Sequence, residues 1–301
     1  MTTGPDRSGV VYVNGEFVPA GQASVSVFDH GLLYGDGVFD TMFATHGYIF
    51  KLAEHVERFR KSLRAIRLEP PVPLDSIPEL ILETVARNGL RDAYIKIVAT
   101  RGVSPEPLLD PRNCAPTLVV FARPYLSLAG AGKKETGLST KLTTTQRISH
   151  LALDPRVKSL DYLNLVLAKL EALASGADEA LLLDDQGLVC EAPGYNLFIV
   201  SDGVLVTPGR SILEGITRET VWELADDLDI PIAEDDVRPY DLLTADEAFL
   251  TSTAAGLIPV VRVDGAPIGD GRPGPIFRAL DAAYEEMQRS GRHGTPIPMR
   301  A

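Results

Sequence analysis

Strand-like and helix-like runs follow one another along this 301-residue chain without the strict alternation that a parallel doubly wound sheet or a barrel requires. That order predicts an α+β architecture. Val10–Val13 and Glu16–Val18 flank Asn14-Gly15, the pair best suited to a type I′ turn, which needs positive φ at both positions. Leu52–Ile66 sets apolar residues at helical spacing with charges between them. Ser76-Ile77-Pro78-Glu79 has the form of a capping box and predicts a helix from there to a stop at Gly89. Strand-like runs at Tyr94–Thr100 and Thr117–Phe121 enclose a long loop, and long loops in compact domains often carry function. Further on, the pattern predicts a strand over Leu138–Thr145 and a helix over Leu160–Ala174, with Gly176 past its end. Strands and tight turns follow, then a helix over Thr217–Leu228, a strand over Ala248–Ser252 and a helix over Pro275–Gln288. The small-residue stretch within 125–134 reads as a linker. It divides a small N-terminal α/β domain (1–124) from a larger C-terminal domain (135–290), with a mobile tail over 291–301.

Charge narrows the partners. A formal charge of −12 disfavours nucleic acid and anionic membranes, which need clustered Lys and Arg, but not a small anion in a local pocket. Cys114 and Cys190 form no disulfide framework and have no metal spacing around them, which favours a reducing compartment. The N-terminus has no apolar leader segment and no run suits a membrane span, so the expectation is a soluble cytoplasmic protein. The five histidines show no ligand spacing, so no metal is expected, and no G-x-S-x-G marks a serine hydrolase.

Several segments carry chemistry-bearing residues, each with an ordinary reading beside it. Lys158 lies in DPRVKSLDYLNLVLAKLEA, and most lysines are simply solvated. Glu191 lies in VCEAPGYNLFIV and could be a surface acid. Gly215-Ile216-Thr217-Arg218 opens a helix, so the N–H groups of Ile216 and Thr217 could face an anion, although Thr217 could equally be a plain N-cap. Thr251-Ser252-Thr253-Ala254-Ala255 could be a polar turn after a strand, and Arg58 an exposed helix residue. The G-D-G of HGLLYGDGVFDT lacks the third glycine and the following helix of a dinucleotide fingerprint.

Together, and in this order, HVERF, VKSLDYLN, E-x-x-x-x-N-L-F, GITR and TSTAA resemble the class IV aminotransferases, which are fold type IV pyridoxal-5′-phosphate (PLP) enzymes. The resemblance covers roughly Val10 to Gln288 and implies two domains with PLP at their interface, in a homodimer. It implies that Lys158 bears the cofactor as a Schiff base and moves the substrate proton. Glu191 would pair with the pyridinium nitrogen, within the pattern completed by Asn196, and Tyr162 would approach the phenolic oxygen. Arg58, Ile216, Thr217 and Thr253 would hold the phosphate. Tyr34, Phe39, Tyr94, Lys96, Thr253 and Ala254 would line the substrate side.

On substrate class, YIKIVATRGVS, LLDPRNC and STAAGLIPV are most similar to branched-chain aminotransferases. Lys96, however, stands where those enzymes have an arginine, Asp40 where they have Glu, and Gly256 where they have the glutamate of T-A-A-E. The loop after Thr100-Arg101-Gly102 lacks the Arg and His of D-amino-acid transaminases. Gly194-Tyr195-Asn196 and the Phe39-Asp40 pair are similar to (R)-selective amine transaminases. Branched-chain-like transamination leads, with an (R)-amine or D-amino acid enzyme as the alternative and a degenerate PLP-binding relative as the non-enzymatic one.

Overall fold

A computed structural model describes residues 8–106, 108–125 and 132–298. Their described parts pack as two compact units, one from Met1–Leu126, Val157–Asp161 and Gln288–Ala301, the other from Ser127–Arg156 and Tyr162–Met287. The division therefore differs from a single cut after residue 124. Residues 157–161, which include Lys158, belong to the first unit. The core of the linker, residues 126–131, lies outside the described residues.

The first unit opens with β1 (Val10–Val13) and β2 (Glu16–Pro19), an antiparallel pair turning at Asn14 (φ 45°) and Gly15 (φ 102°). A short helix, α1 (His30–Tyr34), leads into β3 (Gly37–Thr45) and β4 (Tyr48–Phe50). Then come α2 (Leu52–Ala65), α3 (Ile77–Arg87), β5 (Ala93–Val103) and β6 (Ala115–Pro124). Ser76 departs from the capping-box expectation. Its hydroxyl donates back to Pro73 O at 2.7 Å and makes no cap bond, because a 3₁₀ turn over Leu74–Ser76 leads into the helix. The strands form one sheet in the order β4-β3-β5-β6-β1-β2. One face carries Val38, Met42, Ala44, Ile95, Ile97, Leu118 and Val120, which pack with Val56, Phe59, Leu63 and Ile81 into one core. Strand alternation then puts Phe39, Tyr94, Lys96 and Val98 on the other face.

The second unit begins with α4 (Lys133–Thr136) and β7 (Leu138–Leu142). β7 stops before Thr145 because Thr144 and Thr145 turn to bind the Glu171 carboxylate through their N–H groups, at 2.6 and 3.1 Å. Next are α5 (Leu163–Ala174), β8 (Glu179–Leu181), β9 (Glu191–Ala192), β10 (Tyr195–Ser201) and β11 (Val204–Thr207). Helix α5 starts three residues later than its apolar spacing suggests; residues 158–160 are instead bonded to the start of β3, the Leu160 N–H donating to Gly37 O at 3.0 Å. The unit continues with α6 (Ile216–Asp227), β12 (Ile232–Glu234), α7 (Pro239–Leu243), β13 (Glu247–Ser252), β14 (Gly256–Val263), β15 (Ala266–Pro267) and α8 (Pro275–Arg289). Its sheet runs β12-β11-β10-β13-β14-β7-β8, with β9 on β10 and β15 on β14.

The chain then returns to the first unit. There β16 (Gly294–Pro296) pairs antiparallel with β4, and Ile297 packs on the core. Within the span expected to be a tail, residues 294–296 thus form an edge strand. The free edge of β4 offers them backbone partners, while residues 299–301 lie outside the described residues. Among the described residues no helix is long and apolar enough to cross a membrane.

Candidate active site

In the first unit, Lys158 is fixed by its backbone. Its N–H donates to Ser62 Oγ on α2 at 3.2 Å, and its carbonyl accepts from Phe39 N at 2.9 Å. Ser159 bridges to Val38, so residues 157–161 lie along the start of β3. The Lys158 ammonium sits over the Phe39 ring, 4.6 Å from its centroid. Lys96 Nζ approaches the same ring, at 4.2 Å. Burial, and then the Lys158 charge, push the Lys96 ammonium below its ordinary pKa. No carboxylate pairs with Lys96 among the described residues. Tyr94 shares this sheet face, its ring 6.4 Å from Phe121. Tyr34 is on α1, 41% exposed, with its ring edge-on to His30.

Helix α2 buries polar residues on the face that should be wholly apolar. His55, Arg58 and Ser62, at helical spacing, are all buried. Arg58 is therefore not on the exposed face of the helix. Its Nε and Nη2 donate to Asp40 Oδ2 and Oδ1 at 2.8 and 2.9 Å, and His55 Nδ1 lies 2.8 Å from Oδ1. Burial pushes the Asp40 pKa up, but the Arg58 and His55 charges and hydrogen bonds outweigh it and hold the carboxyl well below its usual range. Burial also lowers the His55 pKa, against the opposing pull of Asp40. An ionised carboxylate only accepts, so Nδ1 of the neutral ring carries the hydrogen.

Arg101, which the sequence leaves without a role, is structural. It holds Asp36 of the G-D-G turn through two bonds, at 2.9 and 3.0 Å, and donates to Ile66 O and Arg67 O at the end of α2.

In the second unit, Glu191 is 4% exposed. Its Oε1 accepts from Arg147 Nε at 2.7 Å and its Oε2 from Leu213 N at 2.9 Å. Leu213 O accepts from Asn196 Nδ2 at 2.8 Å, so one residue, Leu213, joins Glu191, Asn196 and the approach to α6. Gly215, not Thr217, is the N-cap of the 12-residue α6, and no side chain caps it. A Cβ at Gly215 would run into Asn196 Oδ1. The first N–H groups of α6 thus keep the positive end of the helix dipole for an acceptor. Across the sheet, Thr251 pairs with Asn196, and its buried Oγ1 has no partner among the described residues. Thr253 and Ala254 follow it in the turn before β14. Tyr162, at the start of α5, packs on the cluster that holds Cys190 and Ile212, the chain neighbours of Glu191 and Leu213. Gly256 has φ 67°, a conformation that disfavours the glutamate found there in branched-chain enzymes.

Each unit thus gathers its own part of the expected site: Lys158, Phe39, Lys96 and Arg58 in the first; Glu191, Asn196, Ile216, Thr217 and the 251–254 turn in the second. Sequence pattern alone gives Asp40, His55 and Arg147 no place in the site. His55 stands three residues before Arg58, so a helical reading puts both on one face; nothing local marks Arg147.

Residues 37–263 match the family model described as amino-transferase class IV. A putative branched-chain-amino-acid aminotransferase of Methanocaldococcus jannaschii is 44% identical over 281 residues, which is 92% of this chain and 96% of that protein. A D-alanine aminotransferase of Staphylococcus haemolyticus is 34% identical, covering 93% of this chain and 98% of its own. The solved T.th. branched-chain amino acid aminotransferase with pyridoxamine 5′-phosphate superposes with a TM-score of 0.89 at 36% identity, covering 97% of this chain and 99% of its own.

Proposed function

The chain belongs to the amino-transferase class IV family and is a PLP-dependent aminotransferase, and from that premise we propose that it moves the amino group of a branched-chain L-amino acid to a 2-oxo acid, with Lys158 as its catalytic residue. The observation that carries the assignment is the fixing of Lys158. Its peptide is held from both sides by Ser62 and Phe39, and its amine lies against an aromatic face.

The residues present fit the cofactor. Among the described residues, the start of α6 has no side-chain cap and the Thr251 hydroxyl no partner, so both lack an acceptor of the kind a phosphate supplies. Arg58, Ile216, Thr217 and Thr253 would hold that phosphate, Glu191 would keep a proton on the ring nitrogen, Asn196 would brace the loop beside it, and Tyr162 would donate to the phenolic oxygen. When bound, PLP supplies the electron sink for the pair left as the donor's Cα–H bond breaks. Lys158 Nζ takes that proton and returns it on the far side of the transfer. Phe39, Tyr34 and Tyr94 give the donor side chain an apolar wall. Lys96 and the 253–254 turn bind its carboxylate.

The active molecule is a homodimer of cytoplasmic location. Support for the dimer comes from α5, whose Leu163, Val166, Leu167, Leu170 and Leu173 are 49–71% exposed along one helical stripe, an apolar face that water alone would not favour.

The test is a donor panel of L-leucine, D-alanine and (R)-1-phenylethylamine with pyruvate and 2-oxoglutarate, run on wild type and Lys158→Ala. Wild type should turn over L-leucine fastest and Lys158→Ala none of them. Preference for D-alanine or the amine would replace the substrate class, and turnover by Lys158→Ala at the native rate would sink the mechanism.

A further inference from the structure

A buried carboxylate with no counter-charge takes up a proton, and a protonated Glu191 would offer a charged ring nitrogen no counter-charge. Glu191 does not stand without one. Arg147 Nε donates to Oε1 at 2.7 Å, with side-chain exposures of only 11% for Arg147 and 6% for Glu191. A charge-assisted bond at this depth is shielded little by water.

The partner is delivered by backbone structure. Thr143 N donates to Leu181 O at 3.0 Å and Arg147 N to Leu183 O at 2.8 Å, so residues 143–147 run along the chain from β8 to Leu183. That same chain is bonded to the Glu191 strand, Leu182 N donating to Glu191 O at 2.9 Å and Cys190 N to Leu182 O at 3.0 Å. The nearby buried acid, Asp184, has its own donors in Gln186 N, Leu188 N and Ser211 Oγ. Leu213 N holds the other Glu191 oxygen, so both ends of the carboxylate are set before any ligand arrives.

We propose that Arg147 is a positioning residue for the cofactor: it keeps Glu191 ionised and in one orientation, so that PLP meets a preset acceptor at its ring nitrogen. The inference rests on the reading of Glu191 given above. Arg147 acts only through Glu191, touching neither substrate nor phosphate. Its removal lowers cofactor affinity and changes the cofactor's light absorption, which a purely scaffolding arginine would leave alone.

The experiment titrates PLP into the apo forms of wild type, Arg147→Met, Arg147→Lys, Glu191→Gln and the Arg147→Met/Glu191→Gln pair, recording apparent Kd and the absorption maximum of the bound cofactor. Arg147→Met should bind at least tenfold more weakly and move the maximum in the direction that Glu191→Gln moves it. Arg147→Lys, which keeps the charge but not the planar fork, should recover part of both. In the Glu191→Gln background the Met substitution should add nothing, as expected for two residues acting as one unit. Wild-type affinity and spectrum in Arg147→Met, or an equal loss on top of Glu191→Gln, would overturn the proposal. Should Arg147→Met fail to fold, a wild-type spectrum and affinity in Arg147→Lys together with a full effect of Arg147→Lys in the Glu191→Gln background would overturn it instead. A wild-type spectrum in Glu191→Gln would remove the underlying placement of Glu191, a failure distinct from silence of Arg147 alone.

Discussion

Replacing Asp40 with Asn isolates the buried polar knot under the first sheet. Asp40 is fully buried and takes two bonds from Arg58, one from His55 and one from Thr41 N. Asn is nearly the same shape, so it opens no cavity. It can keep the Thr41, His55 and Arg58 Nη2 bonds through its oxygen, but its amide hydrogens then face Arg58 Nε, and a buried guanidinium loses its counter-charge. Breaking a buried pair from one side costs about 3–5 kcal/mol. For a protein of this size that is a fall of the order of 10 °C in the apoprotein melting midpoint. The pH course has a definite sign. The Asp40 pKa is depressed in the fold, so its contribution is present above the unfolded value of about 4 and lost only as pH falls through the folded one. The gap between wild type and variant should therefore hold from pH 8 down to about pH 5. Removing both charges, as Asp40→Leu/Arg58→Met, should recover more than half of the loss, since an apolar pair can replace a buried ion pair. That variant should still bind PLP poorly. Calorimetry of the apo forms decides it: an Asp40→Asn midpoint within about 2 °C of wild type would refute the reasoning.

Gly215→Ala should weaken PLP binding at least tenfold, because the added methyl displaces Asn196 from Leu213 at the start of α6; unchanged affinity in an apoenzyme titration would contradict this. Leu170→Glu, in the exposed stripe of α5, should turn a dimer into monomers in sedimentation velocity, and a monomeric wild type would remove the dimer from the proposal. Burial, and then the Glu179 carboxylate, push the Tyr195 phenol up to about 12. A raised folded pKa gives stability that is present below about 10 and lost as pH rises towards 12. Tyr195→Phe should therefore lose less stability than wild type between pH 10 and 11.5 in urea melts, and equal slopes would contradict it.

What sequence could reveal here follows the range of the forces involved. The Asn14-Gly15 turn, the apolar spacing of α2 and α8 and the start of α6 are set by residues within a few positions of one another, so local pattern reaches them. Ser76 shows the limit: its capping signature is intact, yet a preceding turn offers Pro73 O first. Residues 294–296 show another limit, because a Gly-Thr-Pro run becomes a strand only where a free edge at β4 receives it. The candidate site divides in the same way. Lys158, Glu191 and the GITR and TSTAA segments are legible because chemistry fixes their residue types and neighbours. Asp40 bonds to Arg58 and His55, and Arg147 to Glu191, and any arrangement that delivers such a partner would serve. Arg147 reaches Glu191 across 44 positions only because residues 143–147 lie along the β8 chain. Support of this kind is written in the register of strands, which emerges only when the whole sheet is assembled. The departures from the branched-chain pattern at Asp40 and Gly256 then become intelligible. Asp40 is matched to Arg58 and His55 in a sealed space, and Gly256 to a left-handed turn that a glutamate would strain. On the substrate side, Lys96 beside Phe39 stands where the branched-chain pattern has an arginine, and a single ammonium does not reproduce a planar fork.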